Sequence, residues 1–121
     1  MRPDDIAERA FVFACRVLLL CDPLLRRRGI ARKIGGQLAD AASSLGANLQ
    51  EANGAQSRPD FIAKSSISLK EARESWYWLR VLEATVRPLP PDASPLRCEA
   101  NELVAILTTI VKNAKARAAG R

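Results

Sequence analysis

The 121-residue chain contains no histidine. Histidine is the side chain that titrates near neutral pH and the commonest metal ligand. Its absence removes His-based acid–base catalysis, Ser-His and Cys-His nucleophile pairs, and most zinc chemistry. Cysteine is scarce: Cys15, Cys21 and Cys98 form an odd set without a C-x-x-C pair. Neither a disulfide framework nor a metal site fits that spacing, and the three are expected to be small buried hydrophobes in a reducing cytoplasm. No segment alternates apolar and polar residues as a half-buried strand would. Internal repeats and low-complexity tracts are also missing. The apolar run from Ala10 to Cys21 carries Arg16 and is too short to cross a bilayer. Arg2-Pro3-Asp4-Asp5 is not the cationic start of a signal peptide. No membrane partner is therefore expected.

What remains is 48% hydrophobic residues arranged at helical spacing. Asp4 or Asp5 can cap a first helix, in which Ile6, Ala10, Phe13, Val17 and Cys21 recur before Pro23 stops it. After Gly29, the residues Ile34, Leu38, Ala41, Leu45, Leu49 and Ala52 form a near-heptad stripe on a second helix. Gly35, Gly36, Ala39, Ala42, Ser43, Ser44, Gly46 and Ala47 crowd this helix with small side chains. Each glycine costs about 1 kcal/mol of helix propensity, a cost expected to be offset by close approach of neighbouring helices. Asn53-Gly54 ends the second helix at a C′-type position. Ser57, Pro59 and Asp60 supply an N-cap, a first-turn proline and a capping acid for the third. Ile62, Ser65, Leu69, Ala72, Trp76 and Leu79 mark its core face. Arg87-Pro88-Leu89-Pro90-Pro91-Asp92 breaks the pattern. Ser94-Pro95 opens a fourth helix carrying Leu96, Ala100, Leu103, Leu107, Ile110 and Ala114. The reading is one all-α domain over 1–121, with helices at about 4–21, 30–53, 58–86 and 95–116. Short connections make it an antiparallel up-down-up-down four-helix bundle.

Two helices carry more apolar surface than one core can cover. Between Phe11 and Cys21 only Arg16 is polar. Trp76 and Trp78 lie about 200° apart around the third helix, so both cannot face one core. Phe11, Leu18, Trp78 and Leu82 are the expected subunit interface.

The segment Ser44-Leu45-Gly46-Ala47-Asn48-Leu49-Gln50-Glu51-Ala52-Asn53-Gly54, followed by Ser57, Asp60-Phe61 and Ser68-Leu69-Lys70-Glu71-Ala72-Arg73-Glu74, carries a family pattern. It resembles the "four helix bundle protein" family, also called large-subunit ribosomal RNA intervening-sequence proteins. The stretch Trp76 to Leu82 is similar to one in the accessory variability determinant proteins. Those are related bundles that partner the reverse transcriptase of diversity-generating retroelements. The resemblance implies a ring-like homopentamer. Gln50 stands where the family has a small residue, and Ala52 where it has glycine.

Asn48, Glu51, Ser68, Glu71 and Glu74 could converge where the second and third helices meet. One reading is a carboxylate pair doing acid–base work or holding a metal. The favoured reading is a structural polar network, with Asn48 and Glu51 bonding backbone donors at the start of the third helix. No nucleophile with a base, phosphate loop or paired ligand motif accompanies it, so no catalytic, cofactor or metal residue is assigned and no enzyme is expected.

Lys and Arg number 19 against 13 Asp and Glu, a net charge of +6. The bundle topology gathers Arg26, Arg27, Arg28, Arg32, Lys33, Arg87 and Arg97 at one end. Arg2, Arg58, Lys64, Lys112, Lys115, Arg117 and Arg121 gather at the other. The first cluster is the candidate for binding RNA, DNA or a nucleic-acid–protein complex. The alternative is a structural or protein-binding scaffold whose basic surface serves solubility alone.

Overall fold

The helices begin where the sequence gives the backbone a reason to turn. In the computed structural model residues 3–120 are described, with side chains from residue 5 onward. Arg2 and Arg121 lie outside the described residues, as does the side chain of Asp4. Helix α3 (Arg58–Thr85) starts as its sequence dictates: Ser57 Oγ accepts the Asp60 amide at 3.2 Å, with Pro59 in the first turn. Helix α2 (Ile30–Asn53) follows Gly29, whose φ of 77° lies in the left-handed region that a side chain disfavours. Its C-cap, Gly54, has φ of −98°, so Asn53-Gly54 ends the helix without a left-handed cap.

Two boundaries depart from expectation. Helix α1 (Pro3–Leu25) does not stop at Cys21 but runs through Pro23. A proline there forfeits the bond to the carbonyl four residues back, that of Leu19, and Leu19 is 76% exposed. Water can serve that carbonyl, and the extra turn buries Leu24. Helix α4 (Ala93–Ala118) opens one residue before Ser94, with Asp92 as its N-cap residue. Asp92 makes no side-chain cap bond, because its carboxylate is turned to Arg16.

Contacts between the helices fix the topology. Gly46 of α2 lies beside Ala10 and Ala14 of α1, while Gly35 lies beside Leu24. Ser68 of α3 donates to the Leu45 carbonyl at 3.0 Å, and Lys64 meets Glu51 at 3.2 Å. Glu83 near the end of α3 receives Ser94 and Arg97 of α4, while Phe61 near the start of α3 lines a pocket with Ala114 and Arg117. In each pair one sequence ascends as the other descends, so consecutive helices are antiparallel and the chain is an all-α four-helix bundle. Among the described residues no diagonal pair of helices comes close. The α1–α2 side is therefore opposite the α3–α4 side.

The core is a continuous line of Phe13, Val17, Leu38, Leu45, Leu79, Leu82, Leu96, Leu103 and Leu107, each essentially inaccessible. Each such side chain contributes about 1.5–3 kcal/mol by leaving water. The inner line of α3 is unusually slim, with Ser65, Ser68, Ala72 and Ser75 all buried. Helices α1 and α2 approach closely at Gly35, where a Cβ would sit 3.0 Å from Leu24 Cβ.

Ser68 and Ser75 satisfy their hydroxyls on the carbonyls of Leu45 and Glu71. Ser65 Oγ is fully buried with no hydrogen-bond partner among the described residues. An unpaired buried hydroxyl costs about 1–3 kcal/mol. Ser65→Ala should accordingly raise stability by about 1 kcal/mol in urea denaturation followed by circular dichroism. A loss of stability would show that the hydroxyl is satisfied.

Candidate assembly and nucleic-acid interfaces

Helix α1 buries one stripe and exposes the rest. Phe11, Leu18 and Leu25 are seven residues apart on one line, and Phe11 and Leu18 are 58% and 44% exposed. Leu25 Cδ2 lies 3.6 Å from where a Gly35 Cβ would be, so this line flanks α2. Val12 and Leu19 form a second exposed line on the side of α4, near Arg16 and Glu99 at one level and Pro90 and Pro91 at another. Ile30 adds a further exposed apolar residue at the end of the bundle.

The other half of the expected interface needs correction. Leu82 is 0% exposed and belongs to the core, so it is not available to a second subunit. Trp78 is half-buried and packs against the core, with Tyr77 edge-on to it at 5.2 Å. Trp76 is also half-buried, not central. The slim residues Ala72 and Ser75 occupy the inner line, and the two indoles sit on opposite flanks of α3. Cys21 is buried as expected, which pushes its thiol up to about 12. Cys15 and Cys98 are exposed, contrary to expectation.

The basic end assembles, but much of it is locally engaged. Arg27 donates to the Arg87 carbonyl at 3.4 Å, which joins the α1–α2 and α3–α4 connections. Arg26 pairs with Asp22 at 2.7 Å, and Arg97 with Glu83 at 2.7 Å. Arg87 donates to the carbonyls of Glu83 and Val86. Arg28, Arg32 and Lys33 are exposed and make no ion pair among the described residues.

The residues expected to form one polar network are joined only in part. Asn48 donates to Ser44 of its own helix, to the carbonyl at 2.9 Å and to Oγ at 3.1 Å. It does not reach the start of α3, whose donors Ser57 serves. Glu51 pairs with Lys64 instead of backbone amides. Glu71 lies near Ser44 and Glu74, which both act on its carboxyl. No cluster of three or more carboxylates or thiols suited to a metal exists among the described residues, and Glu51 does not join Glu71 and Glu74.

Two features were not anticipated. The α1–α4 seam is bridged by arginine forks. Arg9 holds Glu99 through Nε at 2.6 Å and Nη2 at 2.7 Å, and reaches Glu102 at 3.2 Å. Arg16 holds Asp92 through Nη2 at 2.8 Å. Periodicity does not disclose such pairs, because their partners lie 76 to 93 residues away. The second is a groove between α3 and α4 lined by Trp76, Arg80, Glu83, Ala84, Arg97 and Asn101. Within it Arg80 lies over the Trp76 ring at 4.7 Å.

Comparison with known proteins bears on this geometry. Residues 4–109 match the model of the 23S rRNA-intervening sequence protein family. The chain is similar to a crystal structure from Bacteroides thetaiotaomicron VPI-5482, described as a protein with unknown function from the S23 ribosomal protein family. The two share 32% identity with a TM-score of 0.80, covering 93% of this chain and 99% of that one. No curated protein matches the chain. Among the described residues no helix is long and apolar enough to cross a membrane.

Burial raises the Glu71 carboxyl above its usual range; Glu74 adds to this and the Ser44 hydroxyl opposes it. A raised folded-state pKa favours the folded protein most below the unfolded pKa, and that advantage is lost as pH rises through the folded value. Glu71→Gln should therefore raise the urea midpoint at neutral pH. The gain should vanish below the ordinary glutamate range. An equal gain at both pH values would show that charge is not its cause.

Proposed function

Because the chain belongs to the 23S rRNA-intervening sequence protein family, and because α1 leaves an apolar face uncovered, we propose that it is a non-enzymatic, homo-oligomeric adaptor. Copies associate through the outer face of α1, as the ring-like pentamer implied by the family resemblance. The assembly holds RNA, or a nucleic-acid–protein complex such as one containing a reverse transcriptase, on its basic end in the cytoplasm.

The exposed face of α1 is the observation that carries this reading. Phe11, Leu18 and Leu25 on one line and Val12 and Leu19 on the other leave five large apolar side chains of one helix exposed, and such surface is associated with interfaces. The small outer residues of α2 beside it permit close approach of a neighbouring copy. Repetition around a ring would multiply weak phosphate contacts made by Arg28, Arg32 and Lys33. A scaffold without a nucleic-acid role is the second reading. It is favoured by the local engagement of Arg26, Arg27, Arg87 and Arg97.

In sedimentation velocity the native protein should run as an oligomer at micromolar concentration. Phe11→Asp combined with Leu18→Asp should release folded monomers, and a monomeric native protein would overturn the assembly. Charge reversal at Arg28, Arg32 and Lys33 should sharply reduce RNA retention in a low-salt gel shift. Unchanged retention would reject the basic end as the binding site.

A further inference from the structure

The side of the bundle opposite the apolar α1–α2 face has its own chemistry. Arg73, Arg80 and Arg87 are seven residues apart along α3 and its end. Seven residues of helix advance about 10.5 Å and drift only about 20° around the axis. Arg73 and Arg80 thus lie on one line of α3, and Arg87 follows just beyond the end of the helix at Thr85. Trp76 lies between Arg73 and Arg80 on that line, and Arg97 and Asn101 of α4 complete the groove wall.

Cations outnumber carboxylates in this groove, Arg80 and Arg97 against Glu83. The α1–α4 seam carries Asp92, Glu99 and Glu102, and the α2–α3 side carries Glu71 and Glu74. In the groove the single carboxylate is Glu83. Both of its oxygens are occupied, Oε2 by the Ser94 hydroxyl and Oε1 by Arg97 Nε, each at 2.7 Å. Glu83 therefore has little left to offer Arg80, which is exposed and makes no ion pair among the described residues. Instead its guanidinium carbon lies 4.7 Å from the centre of the Trp76 ring, and the residue is exposed.

A guanidinium plane fixed on an aromatic ring is a platform on which a nucleobase can stack. The groove is shallow, with a volume of about 440 Å³, enough for one base to lie in while the strand runs past. Asn101 of the groove wall has an amide to offer a base edge, Arg97 keeps the guanidinium donors that Glu83 does not use, and Arg73 lies about one turn before Trp76 on α3.

Building on the RNA-binding reading above, we propose that the α3–α4 groove of Trp76, Arg80, Arg97 and Asn101 is a contact site for single-stranded RNA. One base stacks on the Arg80–Trp76 pair and the backbone follows the arginine line. The site lies opposite the α1–α2 side and uses none of the exposed apolar residues of α1.

The test uses the full chain and a short fluorescein-labelled oligouridylate, with anisotropy measured over a range of salt. Arg80→Lys keeps the charge and removes the stacking plane, and should weaken binding roughly tenfold with little change in salt dependence. Arg73→Gln should lower the slope of log affinity against log salt by about 0.7, the loss of one phosphate contact. Both positions are exposed, so folding should be unaffected, as circular dichroism will check. Native-like binding by Arg80→Lys would overturn the stacked base. If the native protein binds in a salt-sensitive way but neither variant differs from it, the RNA reading stands and this site is wrong. If the native protein binds no oligouridylate at low salt, the RNA reading fails and this site with it. Equal displacement of the probe by polyglutamate would mark the groove as a general polyanion surface and overturn the assignment to RNA.

Discussion

The approach of α1 to α2 at Gly35 governs much of what the bundle presents outside. With no side chain at that point, the two helices come to the limit set by Leu24 Cβ. A helix drawn toward one neighbour stands away from the other, and the α1–α4 seam is correspondingly the looser one. Its outer edge is spanned by long arginines, Arg9 reaching Glu99 and Arg16 reaching Asp92. Guanidinium forks suit such a gap because they reach far and fix two bonds in one plane.

The same approach determines where the surplus apolar residues of α1 end up. Its inner stripe is filled by Ala10, Phe13, Val17 and Leu24, so Phe11, Leu18 and Leu25 lie outside, alongside the small residues of α2. On α3 the logic runs the other way. Its inner line is slim, and its bulk is displaced to the flanks as Trp76 and Trp78. The bundle thus has a greasy side and a basic, aromatic side facing away from each other. That separation follows from which helix places small residues inward and which places them outward.

Much of the fold was legible because its signals are local. Ser57, Pro59 and Asp60 fix the start of α3 whatever surrounds them, and the stripe from Ile34 to Ala52 is the buried face of α2. The errors have a common physical origin. Periodicity gives angles around a helix axis but not the direction of the neighbouring helices. Taking Trp76 as central rotates α3 by about 60°, which moves Leu82 outward and Trp78 to the surface. The correct centre runs through Ala72, Ser75, Leu79 and Leu82, a line that looks weak in a list of hydrophobic residues. Pro23 misled for a related reason: its effect on the helix depends on whether the freed carbonyl can reach water. The Arg80–Trp76 stack is a spacing of four residues and was readable in principle. Its meaning depended on α4, which brings Arg97 and Asn101 beside it.

The forks of the α1–α4 seam have a consequence for the molecule in motion. Partly exposed ion pairs hold less strongly than packed aliphatic layers and weaken as electrolyte screens them. Local opening should follow the least cohesive boundary, so transient excursions will begin by α1 and α4 parting while the α2–α3 hairpin stays closed. Backbone amide protection should then grade across the bundle, lowest in the two terminal helices and highest in the central pair.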